Sequence, residues 1–203
     1  MKYSKIACIL PVIAIPACGS TTPDTQSHTD SEFRAATVTG IDHNLSNATT
    51  LINILGNNNN GYAFAIGLDA NNVYQGFAGV IVNPGLFELP PATGSAIMSG
   101  SYHARRIHDI TVTNGVPTGI VAGVPNNLIS LVVDYGAGTL IGGDIDTLYV
   151  DGTFSGTTLS GGAIYYGVDG DLTGIIDPDQ AIGAFHGHDD TNVHAGGFIV
   201  NTQ

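Results

Sequence analysis

The sequence has no tryptophan, two cysteines and only five lysines and arginines in 203 residues. Each shortage excludes something. Both lysines, Lys2 and Lys5, sit at the very start. The rest of the chain therefore holds three cations, Arg34, Arg105 and Arg106, against all 17 carboxylates, a formal charge of −14. That balance repels nucleic acid and anionic membrane surface. The cysteines are Cys8 and Cys18, both near the N-terminus, so no disulfide staples the remainder. Stability must come from a core, which the roughly 186 residues from Cys18 onward are long enough to build as one domain. Catalytic signatures are missing as well. There is no Gly-x-Ser-x-Gly elbow, no His-Glu-x-x-His and no phosphate-cradling glycine loop. The paired carboxylates, Asp169/Asp171 and Asp177/Asp179, read as turn residues with nothing to raise one pKa. The chain does not read as an enzyme.

What is present begins with Met1-Lys2-Tyr3-Ser4-Lys5, an apolar run from Ile6 to Ile15, and Pro16-Ala17-Cys18. This is the layout of a secretory signal peptide, residues 1–17, too short in its apolar part to span a bilayer as a helix. Ile15-Pro16-Ala17-Cys18 resembles the lipobox of bacterial lipoproteins, which implies cleavage before Cys18 and lipidation of its thiol. A free exported thiol would be open to oxidation, and lipid removes it. The competing reading is ordinary cleavage near Ala17. Gly19 after the cysteine implies, by the sorting pattern of such lipoproteins, an outer-membrane address. The membrane would be touched through the N-terminal lipid alone. Residues 18–36, rich in Ser, Thr, Asp and Pro, read as the lipidated cysteine and a flexible tether.

From Thr37 the chain is strand-like. With 28 glycines and few long charged side chains, helix is disfavoured. Ala36–Ile41 and Thr49–Leu55 are short strand candidates. Tyr62, Phe64, Ile66 and Leu68 then alternate with Ala63, Ala65 and Gly67, so large residues take one face and small ones the other. Further strands are predicted at Val73–Val82, Thr93–Ala104, Leu128–Tyr135, Thr139–Val150, Thr153–Thr158, Gly161–Val168, Ala181–His186 and Val193–Val200, with an irregular stretch between Ala104 and Leu128. Many short strands joined by tight turns predict an all-β protein, an eight-stranded antiparallel up-and-down β-barrel. A membrane-spanning barrel is the architectural rival, disfavoured by the missing tryptophan and the polar C-terminal residues.

Several motifs carry a family likeness. Tyr74-Gln75-Gly76-Phe77-Ala78-Gly79, Gly100-Ser101-Tyr102, Leu131 to Gly142, Gly152-Thr153-Phe154-Ser155-Gly156, Gly183 to Gly187 and Gly196-Gly197-Phe198 together resemble the β-barrel domain of transferrin-binding protein B-like surface lipoproteins. The resemblance implies a single barrel over 60–200 within a domain at 37–203. Residues 37–55 would form a small N-terminal strand pair, a reduced form of the family's handle subdomain. It implies a surface-exposed outer-membrane lipoprotein that binds an extracellular or host-type protein, or an iron-related ligand, through barrel-end loops. Known ligands of the family include transferrin, haem proteins and complement regulators. No ligand-contacting residue is carried over.

One loop asks for chemistry of its own. His186 and His188 are two apart on an extended segment and so share a side. Asp189, Asp190 and His194 follow. Imidazoles and carboxylates suit Zn²⁺, and His186, His188, Asp189 and His194 form a candidate set. The bland reading is a solvated hairpin loop needing no cofactor. Gly142-Gly143-Asp144-Ile145-Asp146 is a weaker calcium pattern, and Asp134 reads as a structural acceptor. Arg105-Arg106 is expected to pair with carboxylates. Two other functions remain open: an envelope lipoprotein binding a small ligand or divalent metal at 186–194, and a purely structural one.

Overall fold

Large and small side chains do alternate along Asn60–Leu68, and the reason is that this strand is covered on both faces. The computed structural model describes residues 31–55, 59–83, 85 and 87–203. The signal peptide, Cys18 and most of the tether lie outside the described residues. The strands, in order, are β1 (Glu32–Phe33), β2 (Ala36–Thr37), β3 (Gly40–Ile41), β4 (Ser46–Leu55), β5 (Asn60–Leu68), β6 (Tyr74–Ile81) and β7 (Ser95–Thr113). They continue with β8 (Val116–Asp134), β9 (Thr139–Gly143), β10 (Leu148–Ser155), β11 (Thr158–Tyr165), β12 (Val168–Ile176), β13 (Gln180–His188) and β14 (Val193–Thr202). Among the described residues no helix is long and apolar enough to cross a membrane.

The last eight strands, β7 to β14, form a closed antiparallel barrel in sequence order, sealed where β14 pairs with β7. Its stagger can be read from the register. Starting at Arg106, the paired positions run His194, Gly187, Gly170, Ala163, Val150, Gly142 and Leu131, and return to β7 at Met98. The path closes eight residues below its start. Eight strands with that shear leave an interior that side chains fill. Met98, Tyr102, Leu131, Leu140, Val150, Leu159, Tyr165, Phe185 and Phe198 do so, all essentially inaccessible. The outer wall is polar at β10 to β12, where Asp151, Asp169 and Asp171 face solvent, and apolar at β13 and β14, where Ile182, Ala184, Ala195 and Ile199 lie on it. A membrane-spanning barrel carries an apolar outer band all round.

The barrel differs from the sequence expectation at its start. β5 and β6, expected as barrel strands from residue 60 on, belong instead to a separate four-stranded sheet of order β1-β6-β5-β4, and the barrel begins at Ser95. Their near-continuous burial explains the placement. β5 and β6 lie over β14 and β13, so Tyr62, Phe64 and Ala78 pack on Ile182, Ala184, Ala195 and Ile199 of the barrel wall. The small face, Ala63 and Ala65, packs with Phe77, Ile81, Ile41 and Leu45 beneath the β2–β3 hairpin. The N-terminal element is thus a sheet of four strands plus a pair.

Other expectations need correction too. Glu32–Phe33, expected in the tether, pairs in parallel with Phe77–Ala78. Thr139–Val150 is two strands, divided by a turn in which Asp144 Oδ1 accepts the Asp146 N–H at 2.9 Å. Asp169-Gly170-Asp171 is in strand β12, not in a turn. The irregular stretch from Ala104 to Leu128 is the largest departure. β7 and β8 run 19 residues each as one hairpin, reversing at Asn114 (φ 53°) and Gly115 (φ 77°). Asn-Gly with both φ positive is a favoured two-residue hairpin reversal.

Candidate functional site

Every second turn of the barrel falls at the same end, and there the β7–β8 hairpin outgrows its neighbours. β14 stops pairing with β7 at Ile107, while the hairpin continues to residue 115. A bulge between His108 and Thr111, with Asp109 at φ 54°, turns the Ile110 N–H sideways onto the Thr191 carbonyl at 3.0 Å. Ile107 and Ile110 then bury against Val193 and Ile66, with Tyr74 at the margin. The root of the hairpin is therefore fixed to the β13–β14 loop and to the sheet. Its outer part is not covered: Val116 and Ile120 are 60 and 56% exposed.

The His/Asp loop sits beside this hairpin, but its members point apart. His186 and His188 do share the outer side of β13. His186 packs edge-on against Phe33, ring centroids 4.3 Å apart, opposite Asp171. Burial pushes its imidazole down to about 4, against a smaller upward pull from Asp171. Ser31, Asp169, Asp171, His186 and His188 line a shallow cleft of about 240 Å³ there. His194 faces the other way, into the barrel, 1% exposed and between the rings of Tyr165 and Phe185. Neither of its ring nitrogens has a hydrogen-bond partner among the described residues. Burial, with smaller contributions from His186 and His188, lowers it to about 3. A side chain at Gly170 or Gly187 would collide with its ring, so those two glycines make the space it occupies.

Asp189 is used by the loop itself. Its carboxylate accepts the Thr191 N–H at 2.8 Å and the Asn192 side-chain amide at 2.8 and 2.9 Å. Burial raises this carboxyl, but those bonds outweigh it and leave it below its ordinary value. Asp190 is exposed. Among the described residues no three His, Cys, Asp or Glu side chains are grouped so as to hold a metal ion. The zinc set His186, His188, Asp189 and His194 is split by the barrel wall, and the Asp144–Asp146 turn gathers no third ligand. Sequence spacing predicted the shared side of His186 and His188. It could not show that β14 turns His194 inward.

Arg105 and Arg106 also depart from expectation. Neither has a carboxylate partner within 4 Å among the described residues. Arg106 lies over the Tyr166 ring at 4.0 Å, a cation–π contact at the barrel mouth. Arg34, by contrast, pairs with Glu32 and covers the Phe77 ring at 4.4 Å. Sequence reading missed the hairpin because it lay in a stretch judged irregular, although Asn114-Gly115 was the available signal.

No family model matches the sequence, and no curated protein matches it. Solved structures do. One is a surface lipoprotein, at 14% identity over 76% of this chain and 81% of that one, TM-score 0.48. Another is a transferrin-binding protein B from Actinobacillus pleuropneumoniae, at 14% identity over 75% and 80%, TM-score 0.47. A third is HpuA from Kingella denitrificans in complex with human haemoglobin, at 18% identity over 70% and 55%, TM-score 0.39. Against a transferrin-binding protein B from Haemophilus parasuis, the chain spans 37% of the other's length. The set includes the family whose motifs the sequence resembles.

Proposed function

We propose that this is a non-enzymatic, lipid-anchored outer-membrane protein, exposed at the cell surface, that binds an extracellular protein through the loop end of its barrel. One observation carries the reading. The β7–β8 hairpin projects past its neighbours and holds two exposed aliphatic side chains there, Val116 and Ile120, on an otherwise acidic protein. A rigidly rooted apolar tip suits a protein surface better than a small molecule. The barrel interior supports the same reading, since among the described residues it is filled by side chains such as Tyr102, Tyr165, Phe185 and Phe198. Anchoring rests on Ile15 to Cys18, and the partner class, host-type or iron-related protein, is the one the motif resemblance implies.

The test uses whole cells bearing the full-length chain. Extracellular proteins of the natural medium are cross-linked to it, and capture is compared with a Val116→Asp/Ile120→Asp variant. A specific partner lost in the variant supports the proposal. Complete protection of the chain from added protease, or capture unchanged in the variant, rejects it. Replacing Cys18 by Ala is expected to release the protein from the membrane fraction.

A further inference from the structure

A second surface, on the side of the molecule, is built from β4 and the barrel wall beside it. The four-stranded sheet ends at β4, and no described strand pairs with its outer edge. Proteins usually guard such edges with charge, proline, shortness or bulges. The opposite edge, β1, is guarded by being two residues long. β4 is ten residues long with neither charge nor proline, and no Asp, Glu, Lys or Arg occurs between Asp42 and Asp69. Its one irregularity, between Ser46 and Thr49 with Asn47 at φ 51°, leaves Thr49–Leu55 in regular register.

Below that edge lies the outer wall at β7 and β8. β6 lies on β13 and β5 on β14. The series continues with β4 toward β7, since Asn53 reaches His103 on β7 through Tyr62. Asn47 and Thr49 share an apolar cleft of about 170 Å³ with Ile107 and Val121. The next wall strand, β8, has no strand above it among the described residues. Its outward residues Val121, Leu128 and Val132 are 59, 82 and 54% exposed, and Ile97, paired with Val132, is 56% exposed. Arg105 crosses this floor. Its guanidinium lies over Gly123, with Nη1 2.8 Å from where a Cβ would be, between Val121 and Leu128.

We propose that this step is a docking groove for one extended strand of a partner protein. The strand adds to β4 through main-chain hydrogen bonds, and every second side chain falls on the β8 strip. The occupant chemistry follows from the floor: aliphatic residues at alternate positions, and a carboxylate against Arg105, which has none within the described residues. The width fits one strand. Strands in a sheet lie about 4.8 Å apart, which puts the added strand over β8. A second copy fits less well, because two-fold pairing of β4 would set the second barrel on the same face of the shared sheet, against the first. This groove is distinct from the hairpin tip, and either can fail without the other.

The test is a charge swap on the full-length chain. Two ten-residue peptides alternating Thr and Val, one with a central Glu and one with a central Lys, are titrated while amide exchange is followed. The Glu peptide is expected to slow exchange in Thr49–Leu55 and to bind at least tenfold tighter than the Lys peptide. Arg105→Glu should reverse that order, and Arg105→Gln should abolish the preference. Near-UV dichroism checks that each variant is folded. Unchanged exchange in β4, or the same preference in the parent and in Arg105→Glu, overturns the proposal. So does concentration-dependent self-association that Leu128→Asp removes, which would give the edge to a second copy.

Discussion

The Tyr62 hydroxyl lies 2.7 Å from Nδ1 of His103, joining the four-stranded sheet to the barrel. Asn53 donates to the same hydroxyl at 3.2 Å. Burial pushes the Tyr62 phenol up and the His103 imidazole down, so both are neutral at pH 7. The contact is thus a hydrogen bond between two neutral groups, its donor set by the histidine tautomer. Replacing Tyr62 by Phe retains the ring but leaves Asn53 and His103 without this partner. We expect a loss of about 1–3 kcal/mol, read as a lower urea midpoint at unchanged slope.

The same tyrosine explains a glycine. Its ring lies so close to Gly197 that a Cβ there would collide with it. Gly197→Ala should cost about 1–3 kcal/mol through overpacking. Tyr62→Ala should remove the ring's part of the collision and leave the Gly183 carbonyl at 2.7 Å, so the double variant should be more stable than the summed single losses imply. Additive losses would show that the seam does not depend on this contact.

Acid should loosen the fold in a defined window. His186 and His194 are held at about 4 and about 3, against an ordinary 6.5. Between those values the unfolded chain binds protons that the native state does not, so stability rises with pH there. The contribution is complete above pH 6.5 and is lost as pH falls toward 4 and then 3. It is on the order of a few kcal/mol for the fully buried His194. Asp177, raised mainly by burial, acts in the opposite sense at the acid end. Urea midpoints from pH 7.5 to 4.5 should fall, and His194→Leu should flatten the profile. An unchanged slope in that variant would count against His194 as the source.

The hairpin reversal can be probed without touching the barrel. Asn114 and Gly115 both have positive φ, and Gly115→Val should cost about 1–2 kcal/mol locally. Amide exchange should quicken in 108–121 while β10 to β13 stay protected. Uniform acceleration would mean that the hairpin and barrel open together.

Much of the fold was legible because period-two alternation and turn residues are local signals. The closing hairpin of β13 and β14 and the small face of β5 could be read directly. What could not be read was which partner covers a strand. β5 carries the same alternation whether it lines a barrel or sits on one, and only tertiary pairing places it in the sheet. The candidate zinc set is divided by the wall for a related reason. Residues 186, 188 and 194 are near in sequence, but the β13–β14 reversal sets the parity of each strand separately and sends His194 inward. Arg105 and Arg106 were expected to find carboxylates by abundance, yet their neighbours on the wall are Gly123 and Tyr166.

The pairing of β14 with β7 also dictates an order of events. Residues Ser99 to Ile107 find their partners at Val193 to Asn201, so the ring cannot shut until the chain has emerged through β14. β5 and β6 wait equally long, because the wall they rest on is β13 and β14. During synthesis the apolar residues of β5 therefore stay uncovered for more than a hundred residues' worth of chain growth, and the free edge of β7 for 86 to 104, from Ile107–Val193 to Met98–Thr202. Contacts so far apart in sequence form slowly, and uncovered strands invite aggregation meanwhile. A chain cut short before β14 would lack the seat for one sheet and the seal for the other.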